Sequence, residues 1–170
     1  MSETAKHRHL VKDYCKGNGV DLGSSGDPVV PWAIQVDLPA VDYREYNKTR
    51  PEAPIHWSGS AVDLPFKNGT LDWVHSSHLI EDFQDWRPIL KEWDRVLKPG
   101  GYMIIAVPDH ARFRAAVAAG QGDNLSHKHE SHVGELTEMF KHMGYTVIRD
   151  SFVSDDPKEY SILFVGRQPL

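Results

Sequence analysis

Apolar positions recur with two different periods along this chain, and each change of period marks an element. Near the start, Leu10, Val11 and Tyr14 fall at helical spacing and predict a helix over 3–16, which Gly17 and Gly19 stop. Short apolar runs follow: Val20-Asp21-Leu22 enters a first strand, AIQVDL at 33–38 a second, and IHWSGSAV at 55–62 a short third. The proline-bearing stretch 39–54 reads as loop. LDWVHSSHLI, from residue 71, begins a fourth strand. Asp85 then predicts a helix N-cap with Pro88 in the first turn, and Ile89, Leu90, Trp93, Val96 and Leu97 form one stripe that KPGG ends. YMIIAV at 102–107 is a continuous apolar run, the pattern of a strand covered on both faces. Val133, Leu136, Phe140 and Met143 share one face of a further helix closed by Gly144. TVIRDSF and YSILFVGR predict a closing hairpin.

Strands alternating with helices imply an α/β sheet, mostly parallel, to which the last pair adds an antiparallel edge. The 170 residues suit one domain over 1–170. Only about ten residues separate the first two strands, fewer than a crossover helix needs, and Asp27-Pro28 with Pro31 points to a compact loop in its place. In such sheets ligands bind beyond the carboxyl ends of the strands. Chemistry is therefore expected at 21–27, 37–38, 58–62, 75–82 and 107–112.

Composition narrows the partners. A net charge of −5 argues against a broad polyanion-binding surface, so nucleic acid is not the expected substrate. No apolar run approaches the roughly 18 residues that cross a bilayer. The opening MSETAKHRHLVKDYCKG lacks the apolar middle of a secretory signal. The single Cys15 cannot form an internal disulfide, which fits a reducing cytoplasm, and it reads as a small buried hydrophobe. Trp57, Trp73, Trp86 and Trp93 read as core, with Trp86 and Phe83 alternatively walling an acceptor pocket. His129, Glu130 and His132 raise the question of a metal, but no matching ligand set accompanies them, and none is expected. The stretch 110–132 reads instead as an acceptor-side loop offering Arg112, Arg114 and Lys128.

The strand ends carry the candidate chemistry. In DLGSSGD, Gly23 and Gly26 permit close backbone approach, and Asp21 can accept hydrogen bonds from an ammonium. Asp37 ends the second strand where a carboxylate can take both hydroxyls of a ribose. Further on come Leu64-Pro65-Phe66, Leu71-Asp72, Ser77-His78-Leu79-Ile80-Glu81 and Arg95-Val96-Leu97-Lys98-Pro99-Gly100-Gly101. In this order and spacing the run resembles the central half of class I S-adenosylmethionine-dependent methyltransferases of the small-molecule type. The resemblance implies a Rossmann-like, three-layer α/β/α fold with the first crossover helix reduced. It implies S-adenosyl-L-methionine as cofactor, with Asp21 and Gly23 at its methionine part, Asp37 at its ribose, and Ser24 and Leu38 as further cofactor-binding residues. Ser60 and Ala61 would then cup the adenine, and Ser77 and His78 would meet the methionine tail. Two positions depart from the family pattern: Ser25 and Asp27 replace later glycines of the turn, and Ser60 stands where an aspartate often contacts the adenine.

Methyl transfer from a sulfonium is an in-line displacement that depends mainly on positioning. A base is needed only where the acceptor must lose a proton. His78 and His110 are the candidates, with Asp109 to orient either or to bind the acceptor. The expected activity is methyl transfer to a small-molecule or glycan-type acceptor. Its rivals are a catalytically silent module that binds S-adenosylmethionine or S-adenosylhomocysteine, and a subunit completed by a partner or a homodimer mate. The N-terminal helix is expected either to pack on the core or to act as a lid over the cofactor.

Overall fold

The computed structural model describes residues 2–37 and 56–170; Leu38 and the expected loop 39–54 lie outside them. The described elements run in chain order as α1 (Glu3–Val11), β1 (Gly19–Leu22), β2 (Ile34–Asp37), β3 (Trp57–Ser58), β4 (Leu71–Ser77), a 3₁₀ turn (Ile80–Asp82), α2 (Arg87–Val96), β5 (Leu97–Pro108), α3 (His110–Ala118), α4 (Glu135–His142), β6 (Thr146–Phe152) and β7 (Ser161–Arg167). The strands form one seven-stranded sheet in the order β3-β2-β1-β4-β5-β7-β6. β1 to β5 pair in parallel, and β7 runs antiparallel to both β5 and β6. The antiparallel strand is therefore one place in from the edge, and β6 forms the edge itself.

The continuous apolar strands are explained by two cores. Met103, Ile105 and Val107 of β5, with Ile162 and Phe164 of β7, face α2 and α4. Ile104, Ala106, Leu163 and Val165 alternate onto the opposite face, against Val11 of α1 and Val29, Val30 and Ala33 of the β1–β2 connection. Period-two alternation with both sides buried reads as an unbroken apolar run.

Several boundaries move from the sequence reading. The first helix ends at Val11, and its buried face is Thr4, His7 and Val11. Leu97 begins β5 instead of closing α2, so KPGG sits inside the extended segment, where Gly100 takes a positive φ of 77°. The N-cap of α2 is Trp86, not the expected Asp85, and it makes no side-chain cap bond; Asp85, one residue earlier, accepts the Arg87 amide at 3.1 Å. Val133 is exposed, leaving Leu136 and Phe140 as the buried face of α4. Trp57 is exposed, whereas Trp73, Trp86 and Trp93 are core. Residues 110–118, expected to be loop, are helical: the Asp109 carboxylate accepts the Arg112 amide at 2.9 Å, and alanine-rich HARFRAAVA propagates the turn without needing a core stripe.

Residues 23–33 join β1 to β2 with turns alone. The layer that a crossover helix would supply is filled by α1, which is fixed to β4 by a buried polar relay. Asp21 Oδ1 accepts from His75 Nδ1 at 2.6 Å, and His75 Nε2 lies 3.0 Å from His7 Nε2. With His75 donating through Nδ1, its Nε2 accepts and His7 donates. Asp21 Oδ2 accepts the Val29 amide at 2.6 Å, which ties the connection to the same relay. Ser2 at the N-cap of α1 and Arg8 in its last turn both hold Asp27.

Three outcomes follow for stability. Trp93 is fully buried and its Nε1 donates to the Ala61 carbonyl at 2.8 Å; Trp93→Ala should cost about 3–5 kcal/mol in urea unfolding. Asp21→Ala orphans His75 Nδ1 and the Val29 amide together, and about 3 kcal/mol should be lost in the same assay. Burial, with repulsion from His75 second, pushes the His7 pKa from 6.5 down to about 2. Below pH 6.5 the unfolded chain takes a proton there that the folded chain refuses, so stability falls on acidification across that window. The loss from this residue approaches about 1.4 kcal/mol per pH unit, and His7→Leu should show a shallower acid slope than the wild type.

Candidate functional site

The parallel register places the ends of β1, β2 and β4 side by side, with Leu22 opposite both Val36 and Ser76. A cleft of about 370 Å³ opens beyond them. On its β2–β3 side it is lined by Val36, Asp37, Gly59, Ser60 and Ala61, and Gly23 stands at its middle. On the far side stand Leu79, Asp82 and Phe83, faced by Ser126 and Lys128 from the loop after α3.

The turn after β1 forms the floor. Gly23, Ser25 and Gly26 all have positive φ, of 70°, 52° and 74°. The left-handed geometry that favours glycine is thus kept at Ser25, at a steric cost of about 1–2 kcal/mol relative to an ordinary conformation. Gly23 also needs to be small, because a Cβ there would stand 3.3 Å from the Leu79 side chain. The Gly23 amide donates to the Val36 carbonyl at 2.8 Å, and the Ser25 amide donates to Asp37 Oδ2 at 2.9 Å. Asp37 therefore joins the turn to the end of β2 while lining the cleft. The Ser60 hydroxyl accepts the Val62 amide at 3.2 Å, capping its own loop.

Two cofactor candidates are turned away from the cleft. Asp21 is fully buried, with its carboxylate committed to His75 and the Val29 amide. Ser24 is buried and donates to Gln35 Oε1 at 2.9 Å. For Asp21 this follows from the strand's alternation, which sends its side chain beneath α1 while Val20 and Leu22 take the opposite face. Leu38 lies outside the described residues. Ser77 is buried at the end of β4, and its hydroxyl finds no hydrogen-bond partner.

His78 lies beside the cleft, in a second polar cluster. Its positive φ of 52° turns the chain after β4, and its Nε2 is 3.1 Å from Ser161 Oγ and 3.4 Å from Glu3 Oε2. Its Nδ1 is 3.5 Å from Glu81 Oε1, and His127 Nε2 lies 3.7 Å from the same oxygen. Glu81 is wholly buried, and neither carboxylate oxygen receives a hydrogen bond. Burial holds the Glu81 carboxyl well above the usual range, and burial also pushes the His78 pKa down to about 4. The ring of Tyr160 stands edge-on to His78, and Glu3 reaches the cluster from α1, so that helix packs on the core and also contributes to the site.

The other two catalytic candidates lie elsewhere. Asp109 caps α3, its amide donating to the Tyr160 carbonyl. His110 lines a separate cleft with Phe113, Arg114 and His127, its Nε2 3.7 Å from Glu130. The chain turns into α3 directly after β5, which carries both away from the end of β4. Among the described residues, no three His, Cys, Asp or Glu side chains form a group that could hold a metal. The sequence reading includes Asp82 only as the last residue of the strand-end stretch 75–82, without a role of its own, and places Lys128 only in a general acceptor-side loop. The loop reaches the cleft through the Lys128 and His129 amides, which donate to the Glu81 carbonyl at 2.9 and 3.1 Å. No local sequence pattern announces that contact. Trp86 is buried under His129, with ring centroids 4.1 Å apart, and Phe83 rather than Trp86 reaches the cleft wall.

This arrangement has clear relatives. Residues 21–105, half of the chain, match the methyltransferase domain family. A probable S-adenosylmethionine-dependent methyltransferase of Mycolicibacterium smegmatis is 30% identical over 143 residues, covering 82% of this chain and 52% of that protein. The chain thus spans about half the length of that curated relative. Among solved structures, a SAM-dependent methyltransferase of Thermotoga maritima superposes with a TM-score of 0.70 at 21% identity, covering 97% of this chain and 89% of that one. A Haloferax volcanii methyltransferase, solved with its Trm112 activator, superposes with a TM-score of 0.67 at 20% identity, covering 98% and 92%. These two share the fold. The helix layers, the 3-2-1-4-5-7-6 strand order and the family match over β1 to β5 agree, and the chain belongs to the methyltransferase domain family, whose cofactor is S-adenosyl-L-methionine.

Proposed function

We propose that this chain transfers the methyl group of S-adenosyl-L-methionine to a small-molecule or glycan-type acceptor. The observation that carries the reading is the continuity of the cleft across four strand ends, with a carboxylate at β2 and a second polar cluster at the end of β4. The lining suits the nucleotide. Asp37 stands where ribose hydroxyls can donate to it, Val36 and Ala61 offer apolar walls to a purine, and Gly23 leaves room for a ligand close to the backbone. Leu79 and Phe83 add apolar surface on the far side of the cleft. A bound sulfonium supplies an electrophilic methyl group, and it needs no phosphate-binding helix at the β1 turn, which agrees with a connection made of turns alone.

On the acceptor side, His78 is the residue we assign to the nucleophile. Burial keeps its imidazole neutral at pH 7, so one ring nitrogen can accept a proton from, or orient, a hydroxyl or amine. Glu3 and Ser161 lie beside Nε2 and Glu81 lies behind Nδ1, fixing the ring between them. His110 and Asp109 have no role at the reacting atoms in this reading.

The withdrawal of Asp21 from the cleft favours a second reading, a module that holds the nucleotide without turning it over or that needs another protein to complete it. The activator bound by the Haloferax volcanii methyltransferase is one form such a partner can take.

Calorimetric titration with S-adenosylmethionine, S-adenosylhomocysteine and NAD separates these readings when paired with an acceptor screen that follows S-adenosylhomocysteine release. The wild type should bind both sulfur nucleotides and not NAD, and Asp37→Ala should weaken binding by about tenfold or more. His78→Ala should retain nucleotide binding and lose about 10²-fold or more in turnover. Binding without turnover on any acceptor would favour the silent module, and no binding at all would leave only the fold.

A further inference from the structure

Glu81 is wholly buried, neither of its carboxylate oxygens receives a hydrogen bond, and Oε1 stands between two imidazoles. His78 Nδ1 is 3.5 Å from that oxygen and His127 Nε2 is 3.7 Å from it. Resting on the assignment of His78 to the acceptor side, we propose that Glu81 is a positioning residue that selects which nitrogen of His78 carries the hydrogen. Protonated, Glu81 donates to Nδ1 and leaves the hydrogen on Nε2. Ionised, it accepts from Nδ1–H and frees Nε2 to act as the base.

The surroundings of the ring accommodate both forms. With the hydrogen on Nε2, Ser161 Oγ accepts it at 3.1 Å and donates its own to Glu3 Oε2 at 3.3 Å. With Nε2 bare, the same hydroxyl turns and donates to the ring. On the Nδ1 side, a carboxyl changes from donor to acceptor by losing a single proton, which no amide does. The protons balance: Glu81 gives one to solvent, and His78 keeps one ring hydrogen throughout, moved from Nε2 to Nδ1 by exchange with water. Oε1 has to close on one ring by about half an ångström, as such contacts do when a site is engaged.

His127 links this choice to the second cleft. It lines the space of about 240 Å³ there with His110 and Arg114, its ring centroid 4.7 Å from that of Phe113. From that position an Nε2–H donates to Oε1 once the carboxyl ionises, and so favours the ionised form. Burial first, then Asp82 beside it and Glu3 from α1, hold the Glu81 carboxyl well above the usual range. Beyond burial, Glu3 and Glu159 act on His78 against Lys6 and His127, with Tyr160 edge-on to its ring. Around His127, Asp82 and Asp123 act against His110. Nε2 of His78 is therefore freed as the pH rises past the ordinary carboxylate range.

The test is a magnetic-resonance titration of the full chain labelled with nitrogen-15 histidine, which reads the protonation of each ring nitrogen from about pH 5 to about pH 9. In the wild type, His78 Nδ1 should gain a hydrogen as the pH rises, the reverse of an ordinary histidine, while Nε2 loses one. Glu81→Gln keeps the size and cannot ionise, so its His78 should hold one tautomer throughout. His127→Ala should move the midpoint up by about one pH unit, a tenfold change in the ionisation of Glu81. A wild-type His78 that keeps one tautomer across the range overturns the proposal, as does an inverted titration that survives in Glu81→Gln. An unmoved midpoint in His127→Ala overturns the part given to His127. Calorimetric binding of S-adenosylhomocysteine to the same samples reports separately on the nucleotide reading: its absence removes that reading, while the tautomer result stands or falls by itself.

Discussion

A parallel sheet is stable only when both of its faces are covered, and in this chain one face lacks the helix that the β1–β2 connection would ordinarily provide. Much of the remaining structure answers that deficit. Val29, Val30 and Ala33 of the short connection pack in one cluster with Trp73 of β4 and Ile104 and Ala106 of β5, and α1 completes the layer. Apolar contact alone fixes α1 poorly, because only Thr4, His7 and Val11 of its nine residues are buried. The Asp21–His75–His7 relay supplies the missing specificity. Each of the three buried polar side chains finds a partner within the relay, although His7 Nδ1 has none, so the helix has one register and the connection one path. The same commitment removes Asp21 from the cleft, so covering the sheet and displacing a binding residue are one event.

The parts of the fold that were legible in the sequence are those set by local periodicity. The unbroken apolar run of β5, the stripe of α2, the closing hairpin and the shortened connection each declare themselves within a dozen residues. Boundaries failed where a neighbouring strand decides them: Leu97 continues the helical stripe yet pairs with Leu71 at the start of β5. α3 was missed because its burial is nearly confined to Phe113, so it carries no core-facing stripe to detect, only a cap and alanine. Gly23, Asp37, Ser60 and Ala61 meet in one cleft because strand ends in a parallel sheet are neighbours whatever their separation in sequence. Asp21 was expected at the cleft and lies beneath α1 instead, for a subtler reason. A motif fixes residue types, but which face a side chain takes depends on the alternation of its strand and on what lies beneath.

The two polar groupings at the strand ends are electrostatically different. Around the cleft, Asp37 accepts from the turn beside it, and Lys128 and Asp82 are exposed and half-buried respectively. Around His78 the environment is drier. Glu81 is held toward its neutral form and His78 toward its own, so that grouping carries little net charge despite its composition. Glu3, whose carboxyl is drawn below its usual range with His78 and Lys6 as partners, supplies the charge at its edge. One region is therefore suited to recognising charge and the other to moving a proton where water is scarce.

The helix that stands in for the missing crossover also sets an order on the folding of the chain. An ordinary crossover helix lies between the strands it covers and can pack as soon as they meet. Here the covering residues come first in the sequence and find their partners far downstream: His75 is 68 residues from His7, and Ser161 is 158 residues from Glu3. Closing loops of that length carries an entropic cost that only the assembled sheet can offset. The covering helix thus depends on partners distant in the chain, and its Glu3–Ser161 contact can form only once β7 is in place.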